Sequence, residues 1–120
     1  MPLIPLLPLF HRLNKQYFEN ALTDNMEPLV KVRWSDNRLK TTAGFYKRKK
    51  INGSIDAEII LSKPILRQLS ISEINSTLCH EMIHAWIDII LKKNEIHGLN
   101  FLNKMREINE KEKNFQISVR

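Results

Sequence analysis

One stretch of the chain, residues 70–92, determines the expected fold, and it reads SISEINSTLCHEMIHAWIDIILK. Ser70 and Glu73 have the three-residue spacing of a capping box, and neither glycine nor proline interrupts the residues that follow. Apolar side chains surround most of the helix circumference, and they are Ile74, Leu78, Met82, Ile83, Ala85, Trp86, Ile87, Ile89, Ile90 and Leu91. The pattern therefore predicts a helix buried in the core, which ends at the polar residues 92–94.

Two histidines and a glutamate lie within this predicted helix, in the pattern His80-Glu81-Met82-Ile83-His84. Residues four apart lie one helical turn above each other, so both imidazoles can bind the same metal ion. Glu81 is then close enough to contact another ligand of that ion. The alternative is a pair of histidines on a helix surface, but imidazoles among isoleucines need a polar partner, and a metal ion supplies one.

A third metal ligand is needed, because a catalytic zinc usually has three protein ligands and leaves the fourth position for water. The metzincin pattern would place a glycine and a histidine farther along the helix, but Ile87 and Ile90 occupy those positions and exclude that class. His97 is the preferred third ligand, because it follows the helix and Gly98 would let the backbone return towards the site. The alternatives are Asp88, Glu95, Glu107 and His11.

Two helical ligands and a neighbouring carboxylate suit the attack of water on an amide bond, so we hypothesise peptide hydrolysis. Zinc would lower the pKa of a bound water and polarise the scissile carbonyl, and Glu81 would act as general base. The same glutamate would return the proton to the departing amine. A strand edge beside the helix, with residues 41–47 as a candidate, could hold an extended substrate by adding it to the sheet.

The remaining sequence predicts a small α+β domain around the central helix. An apolar arm with three prolines spans residues 1–8, and Pro8 is suited to be the first residue of a helix that ends near Asn20. Apolar periodicity predicts three strands and a closing helix, at residues 29–34, 41–47, 54–61 and 99–111. Asn52-Gly53 is a typical hairpin turn, so we expect the three strands to form an antiparallel sheet.

The composition fits one domain in a reducing compartment. The chain has 120 residues and a single cysteine, Cys79, which excludes an internal disulfide and a thiolate zinc site. No uninterrupted apolar run approaches the roughly 20 residues that cross a membrane, and the prolines of the arm would break a signal-peptide helix. We therefore expect an intracellular protein that is neither secreted nor bound to a membrane.

The chain carries six more positive than negative charges, which favours a polyanionic partner such as nucleic acid. The basic run Lys47-Arg48-Lys49-Lys50 lies in the predicted loop between two strands, where it could contact phosphates at a hairpin tip. A solvated loop and a nuclear-targeting patch are the alternatives for this run.

Taken together, these motifs resemble the SprT-like metalloproteases, the Spartan family, over nearly the whole chain. The decisive segments are TLCHEMIHA at residues 77–85 and HGLNF at residues 97–101. Further agreement includes Phe10, residues 14–22, Val32-Arg33-Trp34, Ala43-Gly44, Ile60-Leu61-Ser62, Met105 and Ile108-Asn109. The resemblance implies a zincin-like fold in which His80, His84 and His97 bind one zinc ion and Glu81 is the catalytic glutamate.

The resemblance also implies a protease that single-stranded or partly single-stranded DNA activates, and that cleaves proteins bound or crosslinked to DNA. Such a protein would be nuclear in a eukaryotic cell and cytoplasmic otherwise. Many relatives continue into a cysteine- and histidine-rich zinc subdomain that helps to engage DNA, whereas we expect one domain over residues 1–120 without it. A zinc protease without DNA dependence and a catalytically silent zinc or DNA-binding module are the alternative functions.

Overall fold

Helices pack on a small sheet in the computed structural model, which describes residues 4–36, 42–66 and 69–118. The helices are α1 (Leu6–Tyr17), α2 (Lys63–Leu66), α3 (Ile71–Trp86) and α4 (Leu99–Lys111), and α3 continues into a π-helical turn, Ile87–Leu91. The strands are β1 (Thr23–Asp24), β2 (Glu27–Pro28), β3 (Lys31–Trp34), β4 (Gly44–Ile51) and β5 (Ser54–Leu61). The predicted α+β class is confirmed.

Helix α3 begins and ends where the sequence indicates. The Ser70 hydroxyl accepts the backbone N–H of Glu73 at 3.3 Å, as the capping pattern predicts. The last turn is π-helical, a feature that the apolar pattern does not reveal. Lys92 ends the helix with a left-handed φ of 56°, and its backbone N–H donates to the carbonyl of Ile87.

Strand order in the larger sheet is β3-β5-β4, and this arrangement corrects the antiparallel sheet expected from the sequence. β4 and β5 form the predicted hairpin, and Asn52 and Gly53 connect them with positive φ angles of 48° and 81°. β3, however, pairs in parallel with β5, beginning with Lys31 opposite Glu58. The sheet is therefore mixed, because β5 lies between two strands that run in opposite directions.

The side chains of the strands explain this order. β5 carries Ala57, Ile59 and Leu61 in the core, each at most 3% exposed, so it takes the centre of the sheet. β4 carries the basic residues 47–50 and takes the edge, where charged side chains remain in water. The basic run therefore lies in a strand and not in the predicted loop. Strand β4 begins at Gly44, later than the predicted residue 41, and Thr41 itself lies outside the described residues.

Helix α1 begins two residues before Pro8, so the N-terminal arm is shorter than the predicted residues 1–8. Proline is tolerated in the first helical turn because the N–H groups there have no acceptor within the helix. The helix ends before Asn20, whose left-handed φ of 60° is incompatible with its continuation. Residues 1–3 of the arm lie outside the described part of the chain.

One hydrophobic cluster joins the helices to the sheet. Phe10 of α1, Leu78 and Met82 of α3, and Phe101 of α4 are among its fully buried side chains. Helix α3 contacts α1, α4 and the strands β4 and β5, which confirms the predicted burial of this helix. Within the described residues, every helix is too short or too polar to traverse a lipid bilayer.

Candidate metal centre

Three histidines converge beside the C-terminal half of helix α3. His80 and His84 lie on successive turns of the helix, and His97 comes from the loop that precedes α4. Nε2 of His80 lies 3.3 Å from Nε2 of His84 and 3.4 Å from Nε2 of His97. The fold thus brings together the three histidines that the sequence singles out.

The spacing of these nitrogens fits a bound metal ion. Imidazole nitrogens coordinate a tetrahedral ion at about 2.0–2.1 Å, which places neighbouring ligand atoms about 3.3–3.4 Å apart. The two short separations, 3.3 and 3.4 Å, agree with that geometry, and one nitrogen from each ring lies within 4.8 Å of the others. The three side chains form a group that could hold a metal ion.

Phe101 supports all three imidazole rings. Its ring centre lies 4.9 Å from that of His80, 4.7 Å from that of His84 and 4.8 Å from that of His97. Phe101 is completely buried in the first turn of α4. The position of α4 therefore limits where the imidazoles can lie.

Glu95 holds the start of α4 in place. One of its carboxylate oxygens accepts the backbone N–H of Phe101 at 2.8 Å, and the other accepts the Asn100 side chain at 3.0 Å. These hydrogen bonds, with that of Phe101 as the largest cause, lower the pKa of Glu95 below its usual value. Gly98 has an ordinary φ of −82°, and a Cβ there would lie 3.0 Å from Cδ of Glu95, so glycine provides space and not conformational freedom. Glu95 thus caps helix α4, and among the described residues it does not join the group of three histidines.

The other alternative ligands make different interactions. Asp88 accepts the Tyr46 hydroxyl at 2.6 Å and pairs with Arg48 at 3.3 Å. Glu107 pairs with a lysine of its own helix at 2.7 Å. Among the described residues, neither of these carboxylates nor His11 joins the group of three histidines.

His80 has a further partner that the sequence does not reveal. Its Nδ1 lies 2.9 Å from the backbone carbonyl of Ser118. A carbonyl only accepts hydrogen bonds, so we assign the proton to Nδ1, which leaves the lone pair of Nε2 directed at the other two rings. Metal-binding histidines commonly make such a contact with their second nitrogen. The two residues are 38 positions apart, so no local pattern predicts the contact.

Glu81 lies in the same cleft as the three histidines. Its side chain is only 3% exposed and lines a cavity of about 480 Å³, together with the three histidines. Helix α3 forms one wall of this cavity, and strand β4 forms another. The cleft therefore combines a carboxylate, a group of convergent imidazoles and the backbone of an edge strand.

Strand β4 approaches helix α3 closely. A Cβ at Gly44 would lie 2.8 Å from Cδ2 of Leu61 and 3.0 Å from Cγ2 of Thr77, so a side chain there would push the strand away. Farther along the strand, Tyr46 donates its hydrogen bond to Asp88, and burial together with this bond raises the pKa of the Tyr46 hydroxyl. β4 pairs with β5 on one side, and no described strand lies on the other.

The SprT-like family model matches residues 6–120, a range that contains the whole cleft. This chain belongs to the SprT-like family. It is 34% identical over 110 residues to the human DNA-dependent metalloprotease SPRTN, and 32% identical over 111 residues to the SPRTN proteins of rat and mouse. These matches cover 90 or 91% of the chain but 21% of each relative, so the chain spans about a fifth of the length of the curated relatives it matches. The resemblance inferred from the sequence is confirmed.

In this SprT-like chain, the basic run does not form one patch. Successive residues of a strand point to opposite faces of the sheet. Lys47 pairs with Glu58 across the strands at 3.5 Å, and Arg48 pairs on the other face with a carboxylate of the π-helical turn at 3.3 Å. Lys49 and Lys50 are exposed, and neither forms an ion pair with another described residue. Strand β4 therefore directs Lys47 and Lys49 to one face of the sheet, and Arg48 and Lys50 to the other.

Proposed function

We propose that this chain is a zinc-dependent endopeptidase that DNA activates and that cleaves proteins bound or crosslinked to DNA. The observation that carries the proposal is a cleft in which three imidazoles converge beside Glu81, with an edge strand as its other wall. Membership of the SprT-like family and similarity to proteins named DNA-dependent metalloproteases support it. A role in the repair of DNA–protein crosslinks belongs to the same proposal, in the nucleus of a eukaryotic cell or otherwise in the cytoplasm.

His80, His84 and His97 would hold the metal ion through their Nε2 atoms. Zinc suits this donor set, because catalytic zinc sites often have three nitrogen ligands and keep a fourth position for water or substrate. When bound, zinc supplies a water of lowered pKa and a Lewis acid that polarises the scissile carbonyl. The carbonyl of Ser118 and the ring of Phe101 keep the imidazoles in the orientation that binding requires.

Glu81 would carry out the proton transfers. Its carboxylate lies in the cleft with the three histidines, where it can take a proton from the attacking water. The same carboxylate can then deliver the proton to the leaving amine as the amide bond breaks. Because the side chain is buried on α3, helix packing limits its movement during both steps.

Strand β4 would bind the substrate. The backbone of an edge strand has hydrogen-bonding groups that an extended peptide can use as an additional strand. Recognition through the main chain is compatible with many substrate side chains. The contacts of Tyr46 and Arg48 with Asp88 hold this strand against the end of helix α3.

Lys49 and Lys50 are the members of the basic run that we assign to DNA phosphates, and each would bind its phosphate from its own face of strand β4. Both are exposed, and neither is paired with a carboxylate among the described residues. Lys47 and Arg48 would have to exchange local ion pairs for contacts with DNA. The net charge of +6 adds a general attraction to polyanions.

The test compares the wild-type protein with Glu81→Gln on a DNA-binding substrate protein, with zinc, in the presence and absence of single-stranded DNA. Glu110→Gln is the matched control, because it makes the same chemical change at a more accessible position of α4, away from the cleft. We expect DNA-dependent cleavage by the wild type and the control, and a decrease of at least about 100-fold for Glu81→Gln. All three proteins should retain zinc.

Two other outcomes would contradict the proposal, and each would indicate a different function. Cleavage that DNA does not increase would indicate a zinc protease without DNA dependence, and the ion pairs of Lys47 and Arg48 favour this second candidate. Zinc binding without cleavage under any condition would overturn the protease proposal and indicate a catalytically silent zinc or DNA-binding module.

A further inference from the structure

We propose that residues 112–118 form a strap along helix α3 that positions His80, and that Asn109 sets the register of this strap. The proposal rests on the metal site proposed above, because it concerns how one of the three histidines is held. It adds a positioning residue that neither touches the metal site nor lies on the same helix as His80.

Side chains on one face of α3 make a series of hydrogen bonds with alternate carbonyls of the strap. The pairs are Ser72 with the carbonyl of Asn114 (2.8 Å), Ser76 with that of Gln116 (2.6 Å) and His80 with that of Ser118 (2.9 Å). The helix partners are four residues apart, and the strap partners are two residues apart. The contact of His80 is therefore the last member of a regular ladder.

The geometry of the two segments explains this regularity. Four residues of an α-helix rise about 6 Å, and two residues of an extended chain span about 6.6 Å. The two repeats match closely enough for three successive contacts. Because neighbouring carbonyls of an extended chain point in opposite directions, a slip by one residue would turn the last carbonyl away from His80.

Asn109 fixes the register of the strap next to its final contact. Its side-chain amide donates to the carbonyl of Ile117 at 2.9 Å, and its side-chain oxygen accepts the N–H of Ile117 at 2.8 Å. One amide thus satisfies both backbone groups of a single residue, as a neighbouring strand would. Phe115 and Ile117 are also buried, at 5% and 4% exposure, which holds alternate residues of the strap against the core.

The strap is anchored to helix α1 at its other end. The Tyr17 hydroxyl donates to Glu112 at 2.9 Å, and the other carboxylate oxygen accepts the N–H groups of Lys113 and Asn114 at 3.0 and 3.1 Å. Burial, and then the hydrogen bond with Glu112, raises the pKa of Tyr17 to about 12. The hydroxyl therefore remains a donor throughout the neutral pH range.

The consequence for His80 follows from its two ring nitrogens. With Nδ1 protonated and bonded to the strap, Nε2 has a lone pair available for a metal ion. Without the carbonyl of Ser118, the ring could rotate, and the proton could move to Nε2, where it would compete with the metal. Asn109 therefore acts on metal binding through the backbone of the strap.

The experiment compares Asn109→Ala with Asn103→Ala in the full chain. Asn103 is exposed on the same helix, so its variant controls for the loss of an amide from α4. Zinc affinity is measured by competition with a chelator, and nitrogen NMR of the zinc-free protein reports which nitrogen of His80 is protonated. We expect Asn109→Ala to bind zinc about 10–100-fold more weakly and to lose the form protonated only at Nδ1, whereas the control matches the wild type.

Ser76→Ala is a second variant for the case in which Asn109→Ala does not fold. It removes one hydrogen bond of the ladder, leaves the buried residues of the strap unchanged, and should weaken zinc binding about threefold. Wild-type zinc affinity together with an unchanged His80 tautomer in the folded variants would overturn the proposal. If the wild-type protein itself binds no zinc, the proposed metal site fails, and the tautomer comparison alone decides whether the strap positions His80.

Discussion

Helix α3 and strand β4 both carry clusters of residues that the sequence assigns to function, but the fold keeps only one cluster together. On α3, His80 and His84 lie four residues apart and meet on one side of the helix, with their Nε2 atoms separated by 3.3 Å. On β4, Lys47 and Arg48 are neighbours and pair with carboxylates on opposite faces of the sheet. The periodicity of the element therefore decides whether a cluster in sequence is also a cluster in space.

The largest effect is expected for a substitution of His97, which the fold brings together with the two histidines of α3. We expect His97→Ala to weaken zinc binding by at least about 100-fold, because the proposed site of three imidazoles would lose one ligand. Chelator competition measures the affinity, and metal analysis after dialysis gives the stoichiometry. Asp88→Asn is the matched test of the rival ligand and should retain zinc, since Asp88 is bonded to Tyr46 and Arg48. Full retention of zinc by His97→Ala, with loss in Asp88→Asn, would assign the third ligand to the carboxylate.

The local features of α3 could be predicted from the sequence because their partners lie within one or two turns. The bond between Ser70 and Glu73 depends only on helical geometry, and so does the approach of His80 to His84. The family resemblance and the position after the helix singled out His97, which the fold places with the other two.

Features that join distant residues could not be predicted in this way. The parallel pairing of β3 with β5 places Lys31 opposite Glu58, and a strand pattern does not contain the direction of its neighbour. The contact of His80 with Ser118 depends on the path of the whole chain after α4. Glu95 shows a further limit, since a carboxylate near a histidine has the same appearance in sequence whether it binds a metal or caps a helix.

A smaller effect is expected for strand β4, where we propose that Lys49 and Lys50 bind DNA. Replacing both Lys49 and Lys50 with alanine should reduce the slope of log affinity against log salt for single-stranded DNA by about 0.7 for each phosphate that the variant no longer binds. Fluorescence anisotropy over a series of salt concentrations measures this slope. Lys47→Ala is the matched control on the same strand and should change the slope less, because Lys47 already pairs with Glu58. A larger change in Lys47→Ala than in the double variant would place the DNA contact at the paired residue.

The smallest effect concerns Glu58, whose carboxylate pairs with the basic side chains of Arg33 and Lys47. It accepts Nε of Arg33 at 2.8 Å and lies 3.5 Å from Nζ of Lys47. The hydrogen bond with Arg33 is the main cause that lowers the pKa of Glu58 below its ordinary value of 4.5. The unfolded chain therefore takes up this proton at a higher pH than the folded protein. The stabilisation by Glu58 is complete above pH 4.5 and is lost as the pH falls through the lower pKa of the folded state.

Glu58→Gln should consequently reduce the free energy of unfolding at pH 7 by less than about 1 kcal/mol, since the partner Arg33 is 51% exposed. The difference from the wild type should shrink as the pH falls below 4.5, and urea unfolding at several pH values measures it. A difference that stays constant would show that Glu58 acts through packing and not through charge.

The same variant also tests whether the ion pair with Glu58 keeps Lys47 of strand β4 from binding DNA, because Glu58→Gln removes the carboxylate that pairs with Lys47. If the local ion pair is what keeps Lys47 from DNA, the salt slope of Glu58→Gln should become steeper by about 0.7.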